Sequence, residues 1–141
     1  MRYMLDTNIC IYVIKHKPEI VFQELQKHDP SEVCVSSVTY AELVHRVEKS
    51  ASVDKNRLAL LTLLANIEIL DFDVNAANCY GKIRAYLEKK GSPIGPLDMM
   101  IAGHAMSLGY AIVTNNVKEF SRVPDLKIVN WAEKKTGLEG S

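Results

Sequence analysis

Neither sign of charge predominates in this chain: 17 Lys and Arg stand against 17 Asp and Glu. That balance excludes the global positive field that by itself would announce nucleic-acid binding, so any contact with a nucleic acid has to use local basic patches. Cysteine is scarce. Cys10, Cys34 and Cys79 are an odd number at wide spacing, with no Cys-x-x-Cys pair to hold zinc or exchange thiols. They read as small buried hydrophobes in a reducing compartment. No apolar run approaches the roughly 18 residues of a membrane span, and no basic-then-apolar leader precedes the first acidic residue, so the expectation is a cytoplasmic protein without membrane association. Internal repeats and low-complexity linkers are also lacking. With 48% hydrophobic and 24% charged residues in 141, the composition is that of one globular domain. That domain is expected over residues 1–132, with 133–141 a frayed tail or a cloning remnant.

What is there is an alternation of short apolar segments with helical patterns. Arg2 to Leu5, Val33 to Ser36, Ala111 to Thr114 and Leu126 to Val129 read as strands, with Glu68 to Leu70 a weaker fifth. Helices are predicted from Asn8 to Lys15, from Pro18 to about His28, and from Thr39 to Lys49. Asp54 is expected to cap a Leu-rich helix through Ala65, and Asp73 one that stops at Gly91. Pro96 opens the last strong helix, closing near Leu108 and Gly109. Strands alternating with helices of ten or more residues predict an α/β fold, a three-layer α/β/α domain around a central, mostly parallel sheet. In such sheets ligands bind beyond the carboxyl ends of the strands.

Four acids fall near those ends. Asp6 closes the first strand, and capping the following helix is an equal account of it. Glu42 lies in the first turn of the helix after strand two, where the helix dipole alone favours a solvated glutamate. Asp98 is the single charge in Pro96-Leu97-Asp98-Met99-Met100-Ile101-Ala102, and it begins a face continuing through Ile101, Ala102 and Ala105 that should point inward. Glu119 follows the strand Ala111 to Thr114, and a surface loop residue is its bland reading. Taken together they converge on one end of the sheet. Two unit charges about 4 Å apart repel by about 4 kcal/mol at an effective dielectric near 20, so clustered carboxylates must be protonated or share a cation. Oxygen ligands without a thiolate or a spaced histidine pair suit Mg²⁺ or Mn²⁺. Such an ion accepts phosphate oxygens, which points to phosphodiester hydrolysis with a spare carboxylate orienting the water.

At these residues the sequence resembles PIN-domain ribonucleases, specifically VapC-type toxins of bacterial toxin–antitoxin pairs. The matching blocks, in order, are Met4-Leu5-Asp6-Thr7-Asn8, Ser36-Ser37-Val38-Thr39-Tyr40-Ala41-Glu42-Leu43, Pro93-Ile94-Gly95-Pro96-Leu97-Asp98 through His104-Ala105, and Thr114-Asn115-Asn116 through Glu119-Phe120. They span nearly the whole chain, to about Trp131. The resemblance implies a PIN fold, endonuclease activity on RNA with Mg²⁺ (or Mn²⁺) as cofactor, a structured target such as a tRNA, and inhibition by a cognate VapB-type antitoxin. It implies a homodimer within a toxin–antitoxin hetero-oligomer. Carried over by position, Asp6, Glu42 and Asp98 are the core acids, with Asp6 and Asp98 the metal ligands. Many PIN domains place a fourth acid where this chain has Asn116, which can bind substrate or metal only as a neutral amide; Glu119, one turn later, would replace the charge. Asn8, Ser37 and Thr114 are candidates for positioning phosphate or water, against a competing account as local turn and cap donors.

Several features remain beside that reading. His45, three residues after Glu42, could reach the acids, though a lone histidine is more often a packing or surface residue. Lys15-His16-Lys17, and secondarily Lys82, Arg84, Lys89 and Lys90, are the basic patches available to an RNA backbone. The helix with Leu58, Leu60, Leu61, Leu63 and Leu64 is apolar around its circumference and suits either core or partner contact. Two other functions compete: a non-catalytic PIN-like RNA-binding or regulatory module whose acids no longer assemble because of Asn116, and a phosphoacceptor domain using Asp6.

Overall fold

A computed structural model describes residues 1–132; the expected tail, 133–141, lies outside the described residues. Five strands form one sheet: β1 (Tyr3–Leu5), β2 (Val33–Ser36), β3 (Glu68–Leu70), β4 (Ala111–Val113) and β5 (Ile128–Val129). Their order is β3-β2-β1-β4-β5, and every pairing is parallel. The chain therefore winds from β1 to β3 on one side and returns to β4 and β5 on the other, which makes the crevice between β1 and β4 the switch point. The helices are α1 (Thr7–Lys15), α2 (Glu19–Gln26), α3 (Ser37–Glu48), α4 (Val53–Leu64), α5 (Val74–Lys89), α6 (Pro96–Leu108) and the short α7 (Val117–Phe120), with a 3₁₀ turn at Pro30–Glu32.

Side-chain alternation along the strands sends two separate cores to the two faces of the sheet. Met4, Cys34 and Ile112 face one way and pack with Ile83 and Leu87 of α5 and Ile101, Ala102 and Ala105 of α6. Leu5, Val33, Val35 and Val113 face the other, against Ile9, Cys10 and Val13 of α1, Leu43 of α3 and Leu60 of α4. Both layers are thus anchored by the same short strands, and full burial of each large apolar side chain contributes about 1.5–3 kcal/mol. Helices α5 and α6 approach closely at Gly103, where a Cβ would lie 2.7 Å from the Tyr80 backbone nitrogen. Cys10 and Cys34 are free and buried, as expected, and burial pushes both thiols up. No helix among the described residues is long and apolar enough to cross a membrane.

Several boundaries differ from expectation for local reasons. Helix α3 begins at Ser37 rather than Thr39, because Ser36 at the end of β2 accepts the Val38 N–H on its side chain (3.1 Å). The same Ser36 Oγ lies 2.8 Å from Nδ1 of buried His104, which ties α6 to the β2–α3 junction. Asp54 does not cap α4; Ser52 holds the N-cap position, and Asp54 sits in the first turn, where the helix dipole favours it. Helix α2 stops at Gln26, before His28. Asp73 does cap α5, accepting from Ala76 N at 2.9 Å, and Gly91 and Gly109 take the positive φ expected beyond helix ends (68° and 71°).

Candidate active site

Asp6 sits at the switch point because β1 ends there. Its backbone N–H still reaches across to Val113 of β4 (3.0 Å), and its carboxylate turns back to cap α1, accepting the Ile9 N–H at 2.9 Å. The two accounts of Asp6, helix cap and site acid, are therefore not alternatives: one oxygen caps while the group as a whole stands at the sheet mouth. It is 4% exposed. Burial raises its pKa from 3.8 to about 6; hydrogen bonds from the Thr114 hydroxyl and the Ile9 and Asn8 amides oppose the shift, and the charge of Glu42 adds to it.

Asp98 arrives from the opposite core, on the third residue of α6. Ile101, Ala102 and Ala105 on its face are wholly buried, as predicted, which holds the half-buried carboxyl inward. Its pKa rises from 3.8 to about 7, first through burial, then through a hydrogen bond with Glu119, then through repulsion by Glu119, Asp6 and Glu42. Glu119 goes the other way. Burial would raise it, but donation by Gly95 N–H, by Asp98 and by the Asn116 side chain, with the charge of Arg122, keeps it ionised. The Gly95 N–H lies 3.0 Å from Glu119 Oε1. Glu42 is brought to the same place from α3 and is tied to α1, since Thr7 donates its hydroxyl to Glu42 Oε1 at 2.7 Å. The four predicted acids are thus brought to one end of the sheet, near enough for the charges of Glu119, Asp6 and Glu42 to act on Asp98.

The predicted positioning residues divide. Thr114 is fully buried beside Asp6, whose pKa its hydroxyl lowers, and accepts the Asn116 N–H on that hydroxyl oxygen at 2.9 Å. Asn116 donates its side-chain amide to Glu119. Ser37 accepts the Phe72 N–H at 3.0 Å and so ties α3 to the segment after β3. Asn8 turns its side chain to solvent while its N–H serves Asp6. His45 is exposed, as are Lys15, Lys17, Lys82, Lys89 and Lys90. Two contributors carry little signal in the sequence: Thr7, marked only by a hydroxyl inside the Asp-Thr-Asn run, and Gly95. A Cβ at Gly95 would lie 3.3 Å from Asp98 Oδ2 and 3.8 Å from Glu119 Oε1, so the residue leaves room for the two acids.

Among the described residues no group of three or more His, Cys, Asp or Glu side chains stands ready by itself to hold a metal ion. The donor chemistry nevertheless fits a hard divalent cation. It is all oxygen, and two of the acids are held above their ordinary ionisation, by burial first and by neighbouring carboxylates second, a cost to their charge that a cation would offset. Mg²⁺ takes one or two carboxylates and keeps waters or phosphate oxygens for the rest of its shell, so a pair of ligands suffices.

A cluster of acids at the β1–β4 switch point of a parallel α/β/α sheet defines a class, and comparison with known proteins agrees with it. The chain belongs to the PIN domain family, whose profile matches residues 3–126. Within that family its relatives are VapC ribonucleases. It is 45% identical over 131 residues to the tRNA(fMet)-specific endonuclease VapC of Salmonella typhimurium, covering 93% of this chain and 98% of the relative. It is 41% identical over 132 residues to Ribonuclease VapC2 of Rickettsia felis, again covering 93% and 98%. The crystal structure of DNA-bound VapBC from Salmonella typhimurium superposes with a TM-score of 0.88 at 44% identity, over 94% of this chain and 99% of that one.

The ionisation of Asp6 has a consequence for stability. Below its unfolded value of 3.8 the group is protonated in both states, and its contribution is fully present. Between 3.8 and about 6 the unfolded chain gives up the proton first, so stability is lost as pH rises. Asp6→Asn keeps the cap and removes the charge. In EDTA at pH 8 the variant is expected to be more stable than the parent by on the order of 3 kcal/mol, the gap closing by pH 4, as read from urea midpoints. Equal midpoints at pH 8 would contradict the assigned crowding.

Proposed function

We propose that the protein is the toxin of a type II toxin–antitoxin pair, an endoribonuclease dependent on Mg²⁺ or Mn²⁺. The observation that carries this reading is the meeting of Asp6 and Asp98, one from each core, at the mouth of the sheet with both carboxyls pushed toward neutrality. These two residues would hold the cation, which when bound supplies positive charge to the phosphate and acidity to a water. The remaining chemistry belongs to the chain. The Ile9 amide fixes the Asp6 carboxylate, so that it meets its ligand without reorganisation. Thr7 fixes one oxygen of Glu42, and Glu42 is the carboxylate suited to take the proton of the attacking water. Lys15 and Lys17, exposed at the end of α1, are the proposed contacts to the RNA backbone. The non-catalytic alternative supposed that Asn116 left the acids unassembled; its amide instead holds Glu119 in the pocket.

Relatives act on tRNA(fMet), which makes initiator tRNA the first substrate to try. Cleavage in Mg²⁺ is expected, falling about 100-fold or more in Asp6→Asn and Asp98→Asn with folding intact, as followed by gel analysis of the cut RNA. Cleavage that survives either substitution would reject the mechanism.

The partner is proposed to be a VapB-type antitoxin, since similar solved structures are VapBC complexes, and the assembly a hetero-oligomer of toxin homodimers. A cavity of about 730 Å³ between α1, α2 and α4, walled by Phe22, Leu25, Leu58, Leu63 and Ile67, is the apolar seat for it. Leu60 is 3% exposed and belongs to the core, whereas Leu58 and Leu61 are 66% and 55% exposed. The double change Leu58→Ala with Leu61→Ala is accordingly expected to weaken antitoxin binding by about tenfold or more at an unchanged melting temperature. Unaltered affinity by calorimetry would remove α4 from the interface.

A further inference from the structure

Asn116 is the position where the resemblance to PIN domains implies a fourth acid and this chain carries an amide, and its surroundings give that amide a purpose. It occupies the N-cap position of α7, where an asparagine would ordinarily accept a backbone N–H from the following turn. No such bond forms. Its side-chain amide instead donates to Oε2 of Glu119, three residues on, while its own N–H is held by the Thr114 hydroxyl at 2.9 Å. Thr114 and Glu119 are in turn the neighbours whose polar groups bear on the ionisation of Asp6 and of Asp98. The run of hydrogen bonds Thr114–Asn116–Glu119 therefore lies between the two proposed cation ligands.

We infer that Asn116 is a positioning residue that acts through Glu119, so that residues 116 and 119 form an amide–acid unit in which an acid at 116 weakens the site instead of completing it. Glu119 has one oxygen on Gly95 N–H (3.0 Å) at the entrance to α6 and the other on Asn116. Both donors are neutral, which leaves its negative charge in place against Asp98. Aspartate has the shape of asparagine but no donor when ionised, and at position 116 its oxygen would face the oxygen of Glu119. Repulsion would then turn Glu119 away from Asp98 and from the start of α6.

The inference rests on the proposed nuclease reading for its catalytic consequence but not for the contact itself, and the test separates the two. Four proteins are compared: the parent, Asn116→Asp, Glu119→Gln, and the double exchange, which restores one acid and one amide. Melting temperature in EDTA reports the contact without any metal or RNA. Asn116→Asp and Glu119→Gln are each expected to melt lower than the parent, and the double exchange to melt above Asn116→Asp. In Mg²⁺, Asn116→Asp is expected to lose about tenfold in kcat with KM within about threefold of the parent, and the exchange to recover most of that loss. Should Asn116→Asp fail to fold, recovery of a folded protein by the exchange supports the amide–acid unit equally, and failure of the exchange to recover it overturns the inference. Strictly additive effects, or an Asn116→Asp protein that melts and cleaves like the parent, overturn it as well. A parent that cuts no RNA rejects the nuclease reading alone, and the melting comparison still decides the role of Asn116.

Discussion

Everything about this structure turns on the placing of two carboxylates, buried Asp6 and half-buried Asp98, with other acids close by. A buried charge demands compensation, and the fold supplies part of it. Asp6 stands at the N-terminus of α1 and Asp98 in the first turn of α6, so both face the positive end of a helix dipole. Thr114, Ile9 and Asn8 add hydrogen bonds to Asp6, and these still leave its pKa near 6. The remaining demand is one that the proposed divalent cation would answer.

The architecture makes that arrangement rigid. Asp6 and Thr114 leave adjacent parallel strands, and Asp98 is carried by a helix whose inner face is packed without exposure against the same sheet. Glu42 and Glu119 come from separate elements and are secured across chain distance, to Thr7 and to Gly95. A cluster of acids assembled from α1, α3, α6 and the β4–α7 junction cannot be relaxed by the motion of one loop, so burial and mutual repulsion persist in the folded protein. Stability is given up where function needs charge, a trade commonly met in active sites.

Much of this was legible in the sequence. The five strands, the parallel α/β/α layering and the four acids follow from alternation, cap residues and the position of each acid beside a strand end. The inward turn of Asp98 followed from the apolar face it heads. What could not be read depends on contacts across the chain. The hydroxyl of Thr7 looks like a helix-start residue until α3 brings Glu42 to 2.7 Å, and Gly95 looks like a turn glycine until Asp98 and Glu119 crowd it. Asn116 and Glu119 could be read from the sequence as a missing charge and its replacement, but the hydrogen bond that joins them becomes visible only in three dimensions. In α4 the leucines were ambiguous for a simpler reason: a helix apolar on all sides carries no periodic signal, so only the packing separates buried Leu60 from exposed Leu58 and Leu61.

The most direct test of the account is to titrate the side-chain carboxyl carbons of Asp6 and Asp98 by NMR, with and without Mg²⁺. In the metal-free protein the account predicts midpoints near about 6 for Asp6 and about 7 for Asp98, both falling well below those values when Mg²⁺ is added. Midpoints near those of ordinary aspartates, unmoved by Mg²⁺, would contradict it.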